Sequence, residues 1–159
     1  MAKKKNSRAQ SGPKATPQDA QIVLHLFDQR REAVMRKARN FVAFEFSPHN
    51  EEEFMATVMA MGTEPQTYWR MVSSYWEQAA ALPNHGAVHA ELFRDYSNEL
   101  FFLYAKYGDF LPAIRKVFPT AWANIEKFVT ATPERREQVA RIRKMIAERF
   151  APRSAKAAS

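Results

Sequence analysis

The stretch Glu99-Leu100-Phe101-Phe102-Leu103-Tyr104-Ala105-Lys106 decides the fold. Successive helix positions point about 100° apart, so the large apolar side chains from Leu100 to Tyr104 surround such a helix almost completely. A helix that is apolar nearly all round belongs in the middle of a bundle. The pattern predicts one helix from about Ala87 to Tyr107, with the others packed around it.

The neighbouring segments read as those other helices. Thr16-Pro17-Gln18-Asp19 opens the first: Thr16 can cap, Pro17 suits the first turn and Asp19 favours the positive end. Its stripe of Val23, Phe27, Val34, Ala38 and Phe41 keeps helical period and predicts a helix to about Phe46. Ser47-Pro48 with Asn50-Glu51-Glu52-Glu53 opens a second, closed by Gly62. Thr63-Glu64-Pro65 opens a third, through Tyr68, Trp69, Val72, Tyr75, Trp76, Ala79 and Leu82, with Pro83 to Gly86 as a loop. Beyond Gly108, Asp109 can cap a short helix to Phe118, and Thr120 another through Trp122, Ile125 and Phe128. Thr132-Pro133-Glu134 opens the last, with Val139, Ile142, Ile146 and Phe150 on one side. No alternating β-branched run with turn signals interrupts this series. The expected fold is all-α: a single-domain antiparallel helical bundle of about five to seven helices over residues 17–150.

Charge separates this body from its ends. Lys3, Lys4, Lys5, Arg8 and Lys14 occupy residues 1–16 without an acid, and Arg153 and Lys156 occupy 151–159 without one. These seven cations equal the net charge of +7, so the body is neutral overall. Within it, residues 47–127 sum to −4 and residues 128–150 to +3. Both tails are rich in Ala, Lys and Ser and have nothing to bury, so disorder is expected of them. The five N-terminal cations could contact phosphate non-specifically, with a log–log salt slope of roughly −4.5 on duplex DNA. No aromatic accompanies them to stack on bases. The plainer reading is a solubilising terminus.

Several function classes are excluded or weakened. With no cysteine, the chain offers no disulfide and no thiolate nucleophile or metal ligand. Four glycines form no phosphate-cradling loop, which removes P-loop and dinucleotide-binding chemistry. The apolar run Ile22 to Phe27 is too short for a secretory core, and no stretch approaches the roughly 18 apolar residues of a membrane span. A cytoplasmic location is expected, with no cofactor.

Three residue groups stand out. Arg30 and Glu45 fall on the otherwise apolar stripe of the first helix, and Glu99 on the central helix could pair with Arg30. An unpaired buried charge costs several kcal/mol, so these three read as a buried polar pair or as a pocket for a small ligand. Tyr68-Trp69 and Tyr75-Trp76 repeat at seven residues on nearly one helix face; they suit either an internal core or an interface. His85 and His89 have i, i+4 spacing, but zinc needs a third protein ligand and His85 precedes Gly86 in a loop. They are weak metal candidates, and no metal is expected. Glu51, Glu52 and Glu53 point in different directions and read as first-turn electrostatics.

The runs Arg30 to Phe41, Tyr75 to Leu82 and Phe101 to Tyr107 resemble an uncharacterised family of small all-helical bacterial proteins, over roughly residues 18 to 117. That resemblance implies a bacterial helical domain, with no assigned activity and no catalytic residue to carry over. The expected function is a non-enzymatic binding or interaction module, partnered by another protein or by itself. Two alternatives stay open: a nucleic-acid-associated protein using its basic tails, and a helical bundle holding a small ligand or metal.

Overall fold

A computed structural model describes residues 13–150, and every regular element among them is helical. The α-helices are α1 (Pro17–Gln29), α2 (Ala33–Asn40), α3 (Glu51–Val58), α4 (Glu64–Asn84), α5 (Ala90–Tyr96), α6 (Asn98–Tyr107), α7 (Leu111–Arg115), α8 (Ala123–Val129) and α9 (Pro133–Phe150). A π-helical turn, Phe41–Glu45, continues α2, and a 3-10 turn, Gly108–Phe110, joins α6 to α7.

The all-α class stands, and the described residues hold nine helices rather than the expected five to seven because two expected helices are broken. The first break is at Arg30 to Glu32, where Glu32 turns extended and its carboxylate accepts from the Met35 amide at 2.8 Å. A straight helix would turn Phe27, Val34 and Phe41 inward together. The break rephases the chain: the expected Val23 and Ala38 are buried, but Met35, Val42 and Phe46 join them in place of Phe27 and Val34, which are exposed. The second break is at Ser97, whose hydroxyl donates to the Phe93 carbonyl at 2.6 Å. That side-chain bond competes with the helix ladder and ends α5 without a glycine or proline.

Helix starts follow the sequence more closely. Thr16 and Asp19 form a reciprocal capping box. Asn50 and Thr63 cap α3 and α4, and Gly62 takes a positive φ of 83° between them. Pro83 is a correction: it lies in the last turn of α4, not in a loop. Asp109 is another, since it pairs with Arg143 at 3.1 Å and caps nothing. Thr120 does not cap α8. That place falls to Trp122 with φ +55°, the only non-glycine residue among those described with positive φ.

α4 is the hub, touching α2, α3, α5 and α8, while α6 packs against α8 and α9. Leu100, Phe101 and Leu103 of α6 are fully buried, as the opening stretch predicts, while Phe102 and Tyr104 are half-buried. Beside them Phe54 stacks on Phe110 at 4.7 Å and meets Trp69 edge-on at 5.1 Å. Trp69 in turn contacts Tyr107 and Trp122. Aromatic pairs at these spacings add roughly 0.5–1.5 kcal/mol beyond area burial. No helix among the described residues is long and apolar enough to cross a membrane.

Candidate functional site

The two helix breaks meet at one polar joint. Arg30, at the end of α1, donates from Nη2 to the Tyr96 carbonyl at the end of α5, at 3.3 Å. Arg39 of α2 donates from Nη1 to the Arg30 carbonyl, also at 3.3 Å. Each arginine thus satisfies a carbonyl that a continuous helix would have bonded internally. Glu99 of α6 neutralises both: its Oε2 accepts from Arg39 Nε at 2.7 Å and lies 4.0 Å from Arg30 Nη1. Its Oε1 accepts from the Trp76 indole at 3.0 Å.

Arg30 is buried, with its guanidinium 5.1 Å from the Trp76 ring. Burial pulls it below the usual arginine range, and Glu99 works against that pull. Tyr75 seals the side of the joint by donating to the Leu26 carbonyl at 2.6 Å, and burial pushes its phenol up to about 12. The free space beside Arg30 is ≈10 Å³. That is room for about one water, not for a small ligand.

Of the three residues expected together, the fold joins Arg30 and Glu99. Glu45 is a correction: it lies exposed on the π-helical turn and accepts from Asn40 at 2.6 Å. The rephasing that buries Met35 and Val42 carries Glu45 to the surface. The partner missing from the sequence reading is Arg39, which lies off the first helix's expected stripe.

The aromatic quartet also divides. Trp69 (4% exposed) and Trp76 (2%) are core residues, so neither can serve as an interface residue in this fold. Tyr68 and Tyr75 are half-buried; Tyr68 borders a polar groove of ≈490 Å³ with Arg36 and Glu45. His85 ends α4 and is exposed, whereas His89 caps α5 by accepting from the Leu92 amide at 3.2 Å. They do not share a helix. Among the described residues, no group of three or more His, Asp or Glu could hold a metal ion. Lys14 is exposed ahead of α1, and Lys3, Lys4, Lys5 and Arg8 lie outside the described residues.

Two apolar grooves remain. The first, ≈540 Å³, runs between the π-helical turn, α6 and α9, lined by Phe44, Phe102, Ile142 and Met145 above Glu99. Its edge depends on the π-helical turn, which is held from α6. Tyr107 Oη lies 2.6 Å from the Val42 carbonyl and 2.7 Å from that of Phe46, and Lys106 donates to Val42 and Ala43. Burial lowers the Lys106 ammonium to about 8. Phe44, on that turn, is 64% exposed. The second groove, ≈460 Å³, lies between α3, α4, α7 and the chain entering α8.

The model for a domain of unknown function, DUF4760, matches residues 15–132. The chain belongs to the DUF4760 family. The matched segment holds α1 to α8, and with them the polar joint and the whole second groove. α9, one wall of the first groove, lies beyond it. α9 is fastened by Arg135, a buried arginine that donates to Glu91 of α5 at 2.7 Å and to the Phe128 carbonyl at 3.2 Å. Neither a curated protein nor a solved structure matches the chain.

Sequence reasoning overlooked Arg39, Glu77, Trp122 and Arg135. Glu77 accepts from the amides of Asn124 and Ile125 at 2.8 and 3.1 Å, so it caps α8 from another helix. No local signal marks such a residue, because its partners are more than forty positions away. Arg135 was legible only as one charge in a basic run.

Proposed function

We propose that this DUF4760 chain is a non-enzymatic interaction module that self-associates through the groove between the π-helical turn, α6 and α9. The observation that carries this reading is Phe44. It projects, 64% exposed, at the edge of an apolar groove of ≈540 Å³. A knob and a hole on one face are self-complementary: a two-fold axis places each Phe44 in its partner's groove. Apolar side chains gathered in this way mark interaction surfaces more often than scattered ones do. The sequence supports the non-enzymatic part, having no thiol and no phosphate-cradling loop. A cytoplasmic location belongs to the same reading and agrees with the lack of cysteine.

The test is the mass of the full chain in solution. Light scattering should show a monomer–dimer equilibrium between micromolar and sub-millimolar concentration. Phe44→Asp should shift it to monomer with an unchanged circular dichroism spectrum. A monomer throughout the range, or a dimer indifferent to Phe44→Asp, overturns the proposal.

A further inference from the structure

The second groove carries a charge that no other described residue pairs with. Two ionisable side chains line it, Glu77 and Arg70. The Glu77 carboxylate is consumed by three hydrogen bonds, from the Asn124 amide, the Asn124 side chain and the Ile125 amide. Arg70 is exposed, and its guanidinium has no ion pair or hydrogen bond among the described residues. A guanidinium presents a planar fork of donors matched to a carboxylate. Beside it, the Ser73 hydroxyl accepts the Trp122 indole proton at 2.5 Å, and its own O–H meets no acceptor among the described residues.

The apolar part of the groove is equally specific. Met61 (72% exposed) and Phe118 (50%) stand at its walls with Met59, large apolar groups facing water. Methionine adapts to irregular partners and makes favourable contacts with aromatic rings. Trp69 and Trp122 line the groove, stacked 5.4 Å apart at 20°. Trp122 sits here in the left-handed conformation, which costs a bulky residue about 1–3 kcal/mol. The fold sustains that strain by gripping the chain on either side. Ser73 holds the indole, and Glu77 holds the amides of residues 124 and 125. Such strain clusters at ligand-binding sites. An apolar concavity with a few convergent polar groups is the usual form of a small-molecule site.

We propose that this groove binds a small aromatic or branched apolar carboxylate, its body against Met59, Met61 and Phe118 and its carboxylate on Arg70. The site lies wholly within the family-matched segment and is independent of self-association through the other groove.

The experiment uses two fluorescent probes of similar shape on the full chain: anilinonaphthalene sulfonate, an anion, and phenylnaphthylamine, which is neutral. The anion should bind saturably at one site per chain. Arg70→Gln should weaken it about tenfold while changing the neutral probe less than about twofold, because only the anion forms a charge-assisted bond. Phe118→Ser should weaken both. Phe44→Ser, in the other groove, should change neither. Circular dichroism and urea unfolding confirm that each variant is folded. Absence of saturable binding, an anion indifferent to Arg70→Gln, or equal loss on Phe44→Ser each overturns the assignment.

Discussion

Tyr68-Trp69 and Tyr75-Trp76 are the same dipeptide, seven residues apart on α4, and both tryptophans are buried. Their surroundings differ in kind. Trp76 lies in a closed joint, where its indole, Arg30 and Arg39 converge on Glu99 and about one water's space is left. Trp69 lines an open groove, stacked on a strained tryptophan and one residue from an arginine without a counter-charge among the described residues. The joint uses its charges to repair two broken helices. The groove leaves a charge over for something else. Burial of an aromatic therefore says little about function, and the state of the charges beside it says more.

The largest effect that tests this contrast is Glu99→Ala. It leaves Arg30 buried and Arg39 half-buried without a counter-charge and frees the Trp76 indole. Breaking a buried pair from one side costs about 3–5 kcal/mol, readable as a lower urea midpoint followed by tryptophan fluorescence. A loss no greater than that of Arg70→Gln would make the joint and the groove equivalent.

Next in size is Tyr75→Phe, which removes the bond to the Leu26 carbonyl and should cost about 1 kcal/mol at neutral pH. It also sharpens the comparison through pH. Burial raises the Tyr75 phenol from 10.0 to about 12. Between those values the folded chain keeps a proton that the unfolded chain has released. This part of the stability is complete below pH 10 and lost as pH rises toward 12. Tyr75→Phe should therefore flatten part of the alkaline decline in unfolding free energy. An unchanged profile would mean that the phenol is not sealed into the joint.

The smallest expected effect is Arg70→Gln. An exposed side chain without partners among the described residues should change stability by no more than about 0.5 kcal/mol, whatever it does to probe binding. A larger loss would show that Arg70 holds structure and would bring the groove closer to the joint.

Helix starts were legible because they are local. A Thr, Asn or Pro acts on amides two or three residues away, so Thr16, Asn50 and Thr63 could be placed without neighbours in space. The breaks at Arg30 to Glu32 and at Ser97 were not legible. Neither carries glycine or proline, and each is stabilised by partners on distant helices or by one serine hydroxyl. Missing the first break misplaced Glu45 and hid Arg39, because rephasing one helix changes which residues face inward. Arg30 and Glu99 could be paired from their apolar neighbours alone. The grooves could not, because Phe44, Met61 and Phe118 face water only once the other helices are packed.

The sequence by itself determined an all-helical chain with Leu100, Phe101 and Leu103 at its centre, since a helix apolar over most of its circumference belongs inside a bundle. It also determined where α1, α3 and α4 begin, since caps act through neighbouring amides. Only the tertiary structure decided that Trp76 closes on a satisfied carboxylate while Trp69 lies under an open groove. That depends on which charges from distant helices find partners, and pairing across tens of residues leaves no local trace.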